Sequence, residues 1–241
     1  MSSLSIIVPA YNEERRLPAT LQSLDAYLEG RHFDRAEVLV VDDGSIDTTA
    51  RLTTEFCRRS RYVRLLSNAE NHGKGYVVRQ GLLAANCEWV LFTDADLSTP
   101  IEGLQRLETA IQDAAADGAL GSRAVNRKLT GRHQPLWREF SGRFFNLVMR
   151  LLTGLPYRDT QCGFKLLRRD VAQAVASRQR LDGFGFDVEI LFIARSLGYR
   201  LEEVAVRWNN AEGSKVGLWN GLAAFIDPAK VRWNALRGRY R

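Results

Sequence analysis

The chain has 241 residues, of which 45% are hydrophobic and 26% are charged, an ordinary composition for a globular protein. At this length a folded chain buries about 70–75% of the surface that its unfolded form exposes. Three widely spaced cysteines without a CxxC pair argue against a disulfide framework and a structural zinc site, and favour a reducing compartment. The uncharged run Val216–Ile226 has 11 residues, and no uncharged run in the chain exceeds 12. That is too short to span a bilayer, which takes about 20 residues.

The formal net charge of +6 is unevenly distributed along the chain. Residues 1–100 hold 11 Lys and Arg against 14 Asp and Glu, whereas residues 123–169 hold 11 against 2. The basic stretch is either an ordinary solvated surface or a binding surface for an anionic partner. Nucleic acid, phosphate groups and an acidic membrane face are the partners that such a charge attracts.

Apolar runs and helical periodicities alternate along the first hundred residues. The predicted strands are Leu4–Val8, Glu37–Val41, Val63–Leu66 and Trp89–Thr93, and the predicted helices are Leu17–Leu28, Thr48–Arg59 and Lys74–Ala85. Strand and helix alternate with a period of roughly 25–33 residues, which is typical of βαβ units. We therefore predict an α/β fold whose mostly parallel, doubly wound sheet carries helices on both faces.

Polar segments follow each of the four predicted strands. They are Tyr11-Asn12-Glu13, Asp42-Asp43-Gly44-Ser45, Asn71-His72-Gly73-Lys74-Gly75 and Asp94-Ala95-Asp96. Any one of them has an alternative explanation as a helix cap. Four such loops at one edge of a sheet favour a binding site, because ligands of open α/β sheets collect at the carboxyl ends of the strands.

The carboxylates of Asp94 and Asp96 stand one residue apart in a turn-like segment. Two carboxylates facing one partner repel each other unless a cation lies between or beside them. Their hard oxygen ligands suit Mg²⁺ or Mn²⁺, which proteins hold with one or two carboxylates plus substrate phosphates. The sequence contains neither a Walker phosphate loop nor a GxGxxG dinucleotide fingerprint. A divalent cation that bridges to a diphosphate is the chemistry that this pattern predicts.

The motifs, taken together, resemble those of a known enzyme family. SIIVPAYNEE, VLVVDDGSIDTT, NHGKGYVVRQG and FTDADLSTP are similar, in order and spacing, to the nucleotide-sugar half of family 2 inverting glycosyltransferases with the GT-A fold. GSRAV at 121–125, RDTQCGFKLL at 158–167, GFGFDVEIL at 183–191 and WNNAEGSKV at 208–216 resemble dolichyl-phosphate (polyprenyl-phosphate) glucosyltransferases, with the mannosyltransferases as cousins. The resemblance implies one domain over 1–241, with a nucleotide-sugar half at 1–122 and an acceptor half at 123–241.

Carried over by position, the resemblance implies a donor site. Its residues are Pro9, Tyr11, Glu13, Asp42, Asp43, Lys74, Asp94, Ala95, Asp96 and Lys215. In this pattern Asp42 contacts the base, and Asp94 and Asp96 hold Mg²⁺ or Mn²⁺ on the donor diphosphate. Lys215 reaches the phosphates. Ser98 is a departure, since the mannosyltransferase cousins carry Gln there as a further metal ligand.

The resemblance also implies an acceptor site and a reaction. Arg123, Arg138 and Ser141 match positions near the acceptor phosphate, and Asp94, Asp96, Arg123, Arg138 and Lys215 form the expected catalytic set. The expected reaction is metal-dependent, inverting transfer of a hexose, glucose from UDP-glucose, to a polyprenyl or dolichyl phosphate.

A phosphate acceptor changes what the protein must supply. The second pKa of a phosphate monoester is about 6, so the group is already a nucleophile at neutral pH and needs no general base. A hydroxyl acceptor needs a base, for which Asp187 and Glu189 are the candidates. On a helix their i, i+2 spacing keeps them off a common face. We expect both to be structural carboxylates, and Cys162 to be a buried thiol rather than a nucleophile.

Two segments predict contact with a membrane surface. Residues 136–155 place apolar side chains at helical spacing, which fits either a core helix or an interfacial helix on anionic lipid. The C-terminus KVRWNALRGRYR adds five positive charges and two aromatic residues. The N-terminus lacks the basic region of a signal peptide. We therefore expect peripheral association with the cytoplasmic face of a membrane, and no nucleic-acid partner.

Two alternative functions remain open at this stage. One is a related glycosyltransferase whose acceptor is a sugar or polysaccharide hydroxyl. The other is a non-catalytic module that binds anionic lipid or nucleic acid through the basic middle of the chain. The intact Asp94-Ala95-Asp96 and GSKV motifs argue against the second alternative.

Overall fold

The computed structural model describes residues 1–125, 150, 152–209 and 218–240, with side chains in the last range described from residue 226 onward. Three residues expected in the site, Arg138, Ser141 and Lys215, lie outside the described residues. So does most of the helix predicted over residues 136–155.

The described strands form a single sheet. They are β1 Ser3–Ala10, β2 Arg35–Asp42, β3 Val63–Ser67, β4 Trp89–Thr93, β5 Gly118–Ser122, β6 Phe164–Arg168 and β7 Leu201–Ala205. Their order in the sheet is β3-β2-β1-β4-β6-β5-β7. β6 runs antiparallel to both of its neighbours, β4 and β5, and the other pairs are parallel. The predicted mostly parallel sheet is confirmed.

The described helices cover both faces of the sheet. They are α1 Leu17–Glu29, α2 Thr49–Cys57, α3 Lys74–Ala84, α4 Leu104–Ala114, α5 Arg169–Arg178, α6 Phe186–Ser196 and α7 Leu218–Leu236. The strands and helices predicted in the first hundred residues are all present, with ends that differ by at most two residues. None of the helices in the described ranges is both long enough and apolar enough to cross a membrane.

The central strands are buried on both faces, which explains their continuous apolar sequence. Residues alternate along β1, so Ile7 faces one core layer and Ile6 and Val8 face the other. The layer around Ile7 is closed by α3, α5, α6 and α7, and the opposite layer by α1, α2 and α4. Burial on both sides fixes the register of these strands and hence the position of the loops that follow them.

The antiparallel strand β6 brings a second part of the chain to the carboxyl edge of the parallel strands. Thr93 at the end of β4 pairs with Phe164 at the start of β6. The segment that precedes β6, residues 158–163, therefore lies beside the loop that follows β4. A parallel β6 would have placed this segment at the opposite edge of the sheet.

Candidate active site

A cavity of about 570 Å³ opens at this edge of the sheet. Its lining residues are Pro9, Ala10, Tyr11, Glu13, Arg16, Asp43, Asn71, Gly73, Lys74, Val77, Asp94, Ala95, Asp96 and Phe184. Eight of the ten residues expected in the donor site are among them. Asp42 is buried and does not line the cavity. Lys215 lies outside the described residues.

The loops after β1 and β2 are joined by hydrogen bonds. The backbone N–H of Asn12 donates to Ser45 Oγ at 2.9 Å, and Asn12 Oδ1 accepts from the N–H of Ile46 at 2.9 Å. The N–H of Glu13 donates to Thr49 Oγ1 at 2.8 Å. Asn12 has a left-handed backbone with φ of 54°, which asparagine tolerates better than most residues. The side chains of Tyr11 and Glu13 are thereby held at the cavity.

The two aspartates at the end of β2 organise neighbouring loops. Asp42 is only 2% exposed, and its carboxylate accepts hydrogen bonds from Ser45 and, at 3.4 Å, from Ser67 Oγ. Asp43 accepts from the N–H groups of Gly73 at 2.8 Å and His72 at 3.0 Å. The support that Asp43 gives to the loop before α3 fixes where Lys74 enters the cavity.

Each carboxylate of the Asp94–Asp96 pair faces a basic side chain. Lys74 Nζ lies 2.5 Å from Asp94 Oδ1, and Arg16 Nη1 lies 3.6 Å from Asp96 Oδ2. Burial disfavours the charged form of Lys74, but Asp94 and Asp187 outweigh it and raise the pKa of its ammonium group. Hydrogen bonding to Glu13 raises the pKa of Arg16. Both basic side chains therefore remain charged beside the carboxylates.

The backbone around this pair is held tightly. The N–H of Ser98 donates to Asp96 Oδ1 at 2.9 Å, and Thr20 Oγ1 donates to the carbonyl of Ala95 at 2.6 Å. Gly163, just before β6, packs directly against the carboxylate of Asp94, where a Cβ atom would overlap the carboxylate oxygens. The first carboxylate is thus wedged between Lys74 and the backbone of residue 163.

The residues present fit a divalent cation bound together with a diphosphate. Asp94 and Asp96 line the cavity and offer hard oxygen ligands, the set that Mg²⁺ and Mn²⁺ prefer. Within the described ranges no cluster of three or more His, Cys, Asp or Glu side chains is arranged to hold a metal ion. Phosphate oxygens and water complete such a two-carboxylate site in proteins that bind Mg²⁺ with a substrate.

Arg123 is held beside the cavity by a buried carboxylate. Its Nε and Nη2 donate to Asp159 at 2.7 and 2.8 Å, and its backbone N–H donates to the same carboxylate at 3.0 Å. Glu203 on β7 accepts from the N–H of Asp159 at 2.8 Å, and the Arg123 guanidinium lies 5.6 Å from the centre of the Trp208 ring. Asp159 and, more weakly, Asp94 raise the pKa of Arg123 against the effect of burial.

The two candidate bases are buried and already engaged. Asp187 on α6 is 3% exposed and forms an ion pair with Lys165 of β6. Glu189, also on α6, is fully buried and accepts from the N–H of Leu181 at 2.8 Å and from the Tyr240 hydroxyl at 2.6 Å. The expectation that both are structural carboxylates agrees with these contacts. The thiol of Cys162 is buried as expected, and burial raises its pKa to about 12.

Arg16, Asp159, Gly163 and Phe184 are among the residues that the fold brings to the site and that sequence reasoning did not identify. Arg16 has a local signal, because it lies three residues after Glu13, within reach of one helical turn. Asp159 and Gly163 have no local signal, since only the pairing of β4 with β6 places them near Asp94. Phe184 reaches the cavity from the loop before α6.

Solved structures of two sugar-phosphoglycerate synthases have a similar fold. Mannosyl-3-phosphoglycerate synthase from Rubrobacter xylanophilus has a TM-score of 0.67 and 18% identity, with 98% of this chain and 75% of that chain covered. Glucosyl-3-phosphoglycerate synthase from Mycobacterium tuberculosis, solved with Mn²⁺, UDP and glucosyl-3-phosphoglycerate, has a TM-score of 0.65 and 18% identity, covering 95% and 80%. The chain has the GT-A fold that the sequence predicts.

The sequence comparison is more specific. Residues 5–175 match the model of glycosyl transferase family 2, and the chain belongs to this family of enzymes. It is 37% identical over 250 residues to dolichyl-phosphate beta-glucosyltransferase of Mus musculus, covering 99% of this chain and 77% of the relative. The enzyme of the same name from Saccharomyces cerevisiae is 31% identical over 257 residues, covering 99% and 76%.

Proposed function

We propose that this protein transfers glucose from UDP-glucose to the phosphate of a polyprenyl phosphate, such as dolichyl phosphate, with inversion at the anomeric carbon. The observation that carries the proposal is the carboxylate pair Asp94 and Asp96, set in a cavity that the donor motifs line. Similarity over 99% of the chain to dolichyl-phosphate beta-glucosyltransferases supports the sugar and the acceptor.

The donor half of the mechanism rests on charge. Asp94 and Asp96 would hold Mg²⁺ or Mn²⁺, and the ion would supply positive charge that neutralises the departing diphosphate. Lys74 and Arg16 add two positive charges at the same point, and both are fixed by contacts with carboxylates. Fixed cations aimed at charge that develops in the transition state lower the barrier without reorganisation cost.

The acceptor half needs an anion site rather than a base. Arg123 is oriented by Asp159 and contributes positive charge on the side of Asp94. Asp187 and Glu189 are buried in other contacts, so neither is placed to take a proton from a hydroxyl. A lipid phosphate, which carries its own negative charge at neutral pH, is the acceptor that such a site can activate. Arg138, Ser141 and Lys215 stay predicted members of the site.

We further propose that the protein works as a peripheral protein on the cytoplasmic face of a membrane. Its acceptor remains in the bilayer, because a polyprenyl chain is insoluble in water. The three cysteines are free thiols, which fits a reducing compartment.

The test compares acceptors that differ only in the phosphate. The protein is incubated with labelled UDP-glucose or GDP-mannose, Mn²⁺, and either a short-chain polyprenyl phosphate or the matching polyprenol. We expect a lipid-extractable product from UDP-glucose and the phosphate alone, with a rate that rises as the phosphate loses its second proton near about pH 6.

Other results would point to the two alternatives. Transfer to a sugar hydroxyl, with the polyprenyl phosphate ignored, would support the polysaccharide-type enzyme and overturn the proposed acceptor. Absence of any UDP-sugar binding, together with salt-dependent binding to nucleic acid, would support the non-catalytic module.

A further inference from the structure

The last described helix, α7, has an unusual solvent face. Its inner face packs on the protein through Val231 and Asn234, which are buried, and beyond its end Tyr240 donates to Glu189 of α6. A helix on the surface of a soluble protein normally turns charged and polar residues outward. Here the outward face carries Ile226, Trp233 and Leu236, which are 58%, 55% and 74% exposed.

The exposed side chains form a defined pattern around the helix axis. At 3.6 residues per turn, Ile226, Ala229, Trp233 and Leu236 fall within an arc of about 80°. Arg232 borders this arc on one side, and Lys230 and Arg237 border it on the other. The apolar stripe is therefore flanked by cations on both edges, which is the pattern of a helix that lies in a membrane interface.

The charge of the segment is one-sided. Residues 226–240 contain four Lys and Arg and one acidic residue. That acidic residue, Asp227, is buried and pairs with Lys230 at 3.0 Å. The guanidinium of Arg237 lies 4.5 Å from the centre of the Trp233 ring, so the aromatic and the charge act at one place. Trp and Arg together suit the boundary between lipid headgroups and acyl chains.

The position of α7 relates this face to the cavity. Gly185 packs against Asp227, where a Cβ atom at residue 185 would lie 2.5 Å from Asp227 Cβ. The adjacent residue Phe184 lines the cavity and is 38% exposed. The stripe that begins at Ile226 thus starts beside the cavity mouth and extends about 15 Å along the helix.

We propose that the exposed face of α7, formed by Ile226, Ala229, Lys230, Arg232, Trp233, Leu236 and Arg237, is a docking surface for an anionic lipid bilayer. A second copy of the chain fits this face poorly, because a two-fold contact sets like charges against one another. Nucleic acid offers the negative charge but no apolar phase for the central stripe. The docking surface rests on the proposed function in one respect only: docking would bring the cavity to a lipid-linked phosphate.

The experiment measures binding to vesicles separately from chemistry. The full chain is sedimented with vesicles of phosphatidylcholine alone or mixed with phosphatidylglycerol, at low and high salt. We expect the Trp233→Ser/Leu236→Ser variant to partition at least about tenfold less onto the mixed vesicles. The Arg232→Gln/Arg237→Gln variant should lose affinity for mixed vesicles by about tenfold or more, with little change on neutral ones.

Matched controls lie on other surfaces. Leu83→Ser removes a side chain that is 48% exposed on α3, and Arg61→Gln removes an exposed charge, so both should bind vesicles like the wild type. Trp233→Phe keeps the aromatic ring, so it should still bind but should lose part of the fluorescence quenching by brominated acyl chains. This readout remains informative if the double variant does not fold.

The possible results test the docking surface and the proposed transfer reaction independently. Wild-type vesicle binding that is indifferent to the α7 variants, or quenching unchanged by Trp233→Phe, would overturn the docking surface. So would a concentration-dependent dimer that the same variants abolish. Transfer to a water-soluble short-chain acceptor should be the same in all variants, and its absence from the wild type would count against the proposed function and not against the docking surface.

Discussion

The carboxylate of Asp96 faces the cavity and Arg16, while its other oxygen accepts the N–H of Ser98. Replacing it by alanine removes one of the two expected metal ligands without opening the hydrophobic core. We expect Asp96→Ala to lower transfer by at least about 100-fold, since losses of this size follow removal of a single group that stabilises transition-state charge. Steady-state transfer rates and the thermal midpoint together check this expectation.

The matched control is Asp113→Ala, which removes an exposed carboxylate from α4, away from the cavity. It should keep wild-type activity and stability. Wild-type activity of Asp96→Ala, or full activity of the native protein in EDTA, would contradict the assignment of this residue to the metal.

Protonation of Asp159 should change the free energy of unfolding of the protein. Burial by itself would raise its pKa, but the adjacent Arg123 guanidinium outweighs it and holds the pKa of the carboxyl below its usual value. A carboxyl with a depressed folded-state pKa stabilises the protein above its unfolded pKa of about 3.9, and this contribution is lost as the pH falls further toward the folded value. Acidification should therefore lower the free energy of unfolding as Asp159 becomes protonated.

The measurement compares urea unfolding of the wild type and Asp159→Asn across the acid range. The wild type should be the more stable protein above about pH 5, and the difference should shrink as the pH drops below about 4. Taking the difference between the two proteins removes the contribution of the other carboxyl groups. A difference that stays constant with pH would show that the charge of Asp159 does not contribute to the free energy of unfolding.

At the scale of elements, the antiparallel strand β6 is placed so that Gly163 touches Asp94. A methyl group at this position overlaps the carboxylate, so Gly163→Ala must displace either the strand start or Asp94. We expect transfer to fall about tenfold or more, because a misplacement of about 1 Å at a reacting centre is this costly. The thermal midpoint should change much less than the rate.

Gly103→Ala is a suitable comparison, since the new methyl group there meets Thr99 and Phe164 no closer than 3.4 Å. If Gly163→Ala were fully active with unchanged donor affinity, the contact with Asp94 would have no role in positioning.

A second element-scale feature is the ion pair that joins β6 to α6. Lys165 and Asp187 are both buried, and Lys165 Nζ also donates to the carbonyl of Cys162 at 2.7 Å. Asp187→Leu leaves the ammonium group buried without its carboxylate, which should lower the free energy of unfolding by about 3–5 kcal/mol. The double variant Lys165→Met/Asp187→Leu should recover most of this loss. Denaturant unfolding of Asp187→Leu, Lys165→Met and the double variant measures these free energies.

The same pair tests the acceptor chemistry. Asp187→Asn, assayed at a temperature where it is folded, should retain substantial transfer to polyprenyl phosphate, because the acceptor brings its own negative charge. A folded but inactive Asp187→Asn would restore Asp187 as a general base and favour a hydroxyl acceptor.

At the scale of the whole molecule, the cavity is built from loops that are far apart in sequence. Binding in it should stabilise the fold as a unit, by about 2.7 kcal/mol when the ligand is at 100 times its Kd. We expect UDP and Mn²⁺ together to raise the thermal midpoint by more than the sum of their separate effects, because in the proposed site carboxylates and diphosphate would hold the metal jointly. Asp94→Asn/Asp96→Asn should lose this extra shift, and an additive shift would argue against a shared site.

Much of the fold was accessible from the sequence, for physical reasons. Strands buried on both faces have continuous apolar runs, and the helices between them have their own period, so the first four strands and three helices were predicted within two residues. The second half resisted prediction because strand direction leaves no local signature. Nothing in the residues of β6 indicates that it pairs antiparallel between β4 and β5.

The sequence by itself determined the donor side of this protein. In parallel βαβ units the carboxyl ends of successive strands must meet at one edge, so the loops with Tyr11, Asp43, Lys74 and Asp94 had to converge. The tertiary structure alone decided what surrounds them. It brought Gly163 and Asp159 to that edge, since an antiparallel strand starts where its parallel neighbours end. It also turned Trp233 and Leu236 outward, because the opposite face of α7 is the one that packs on the core.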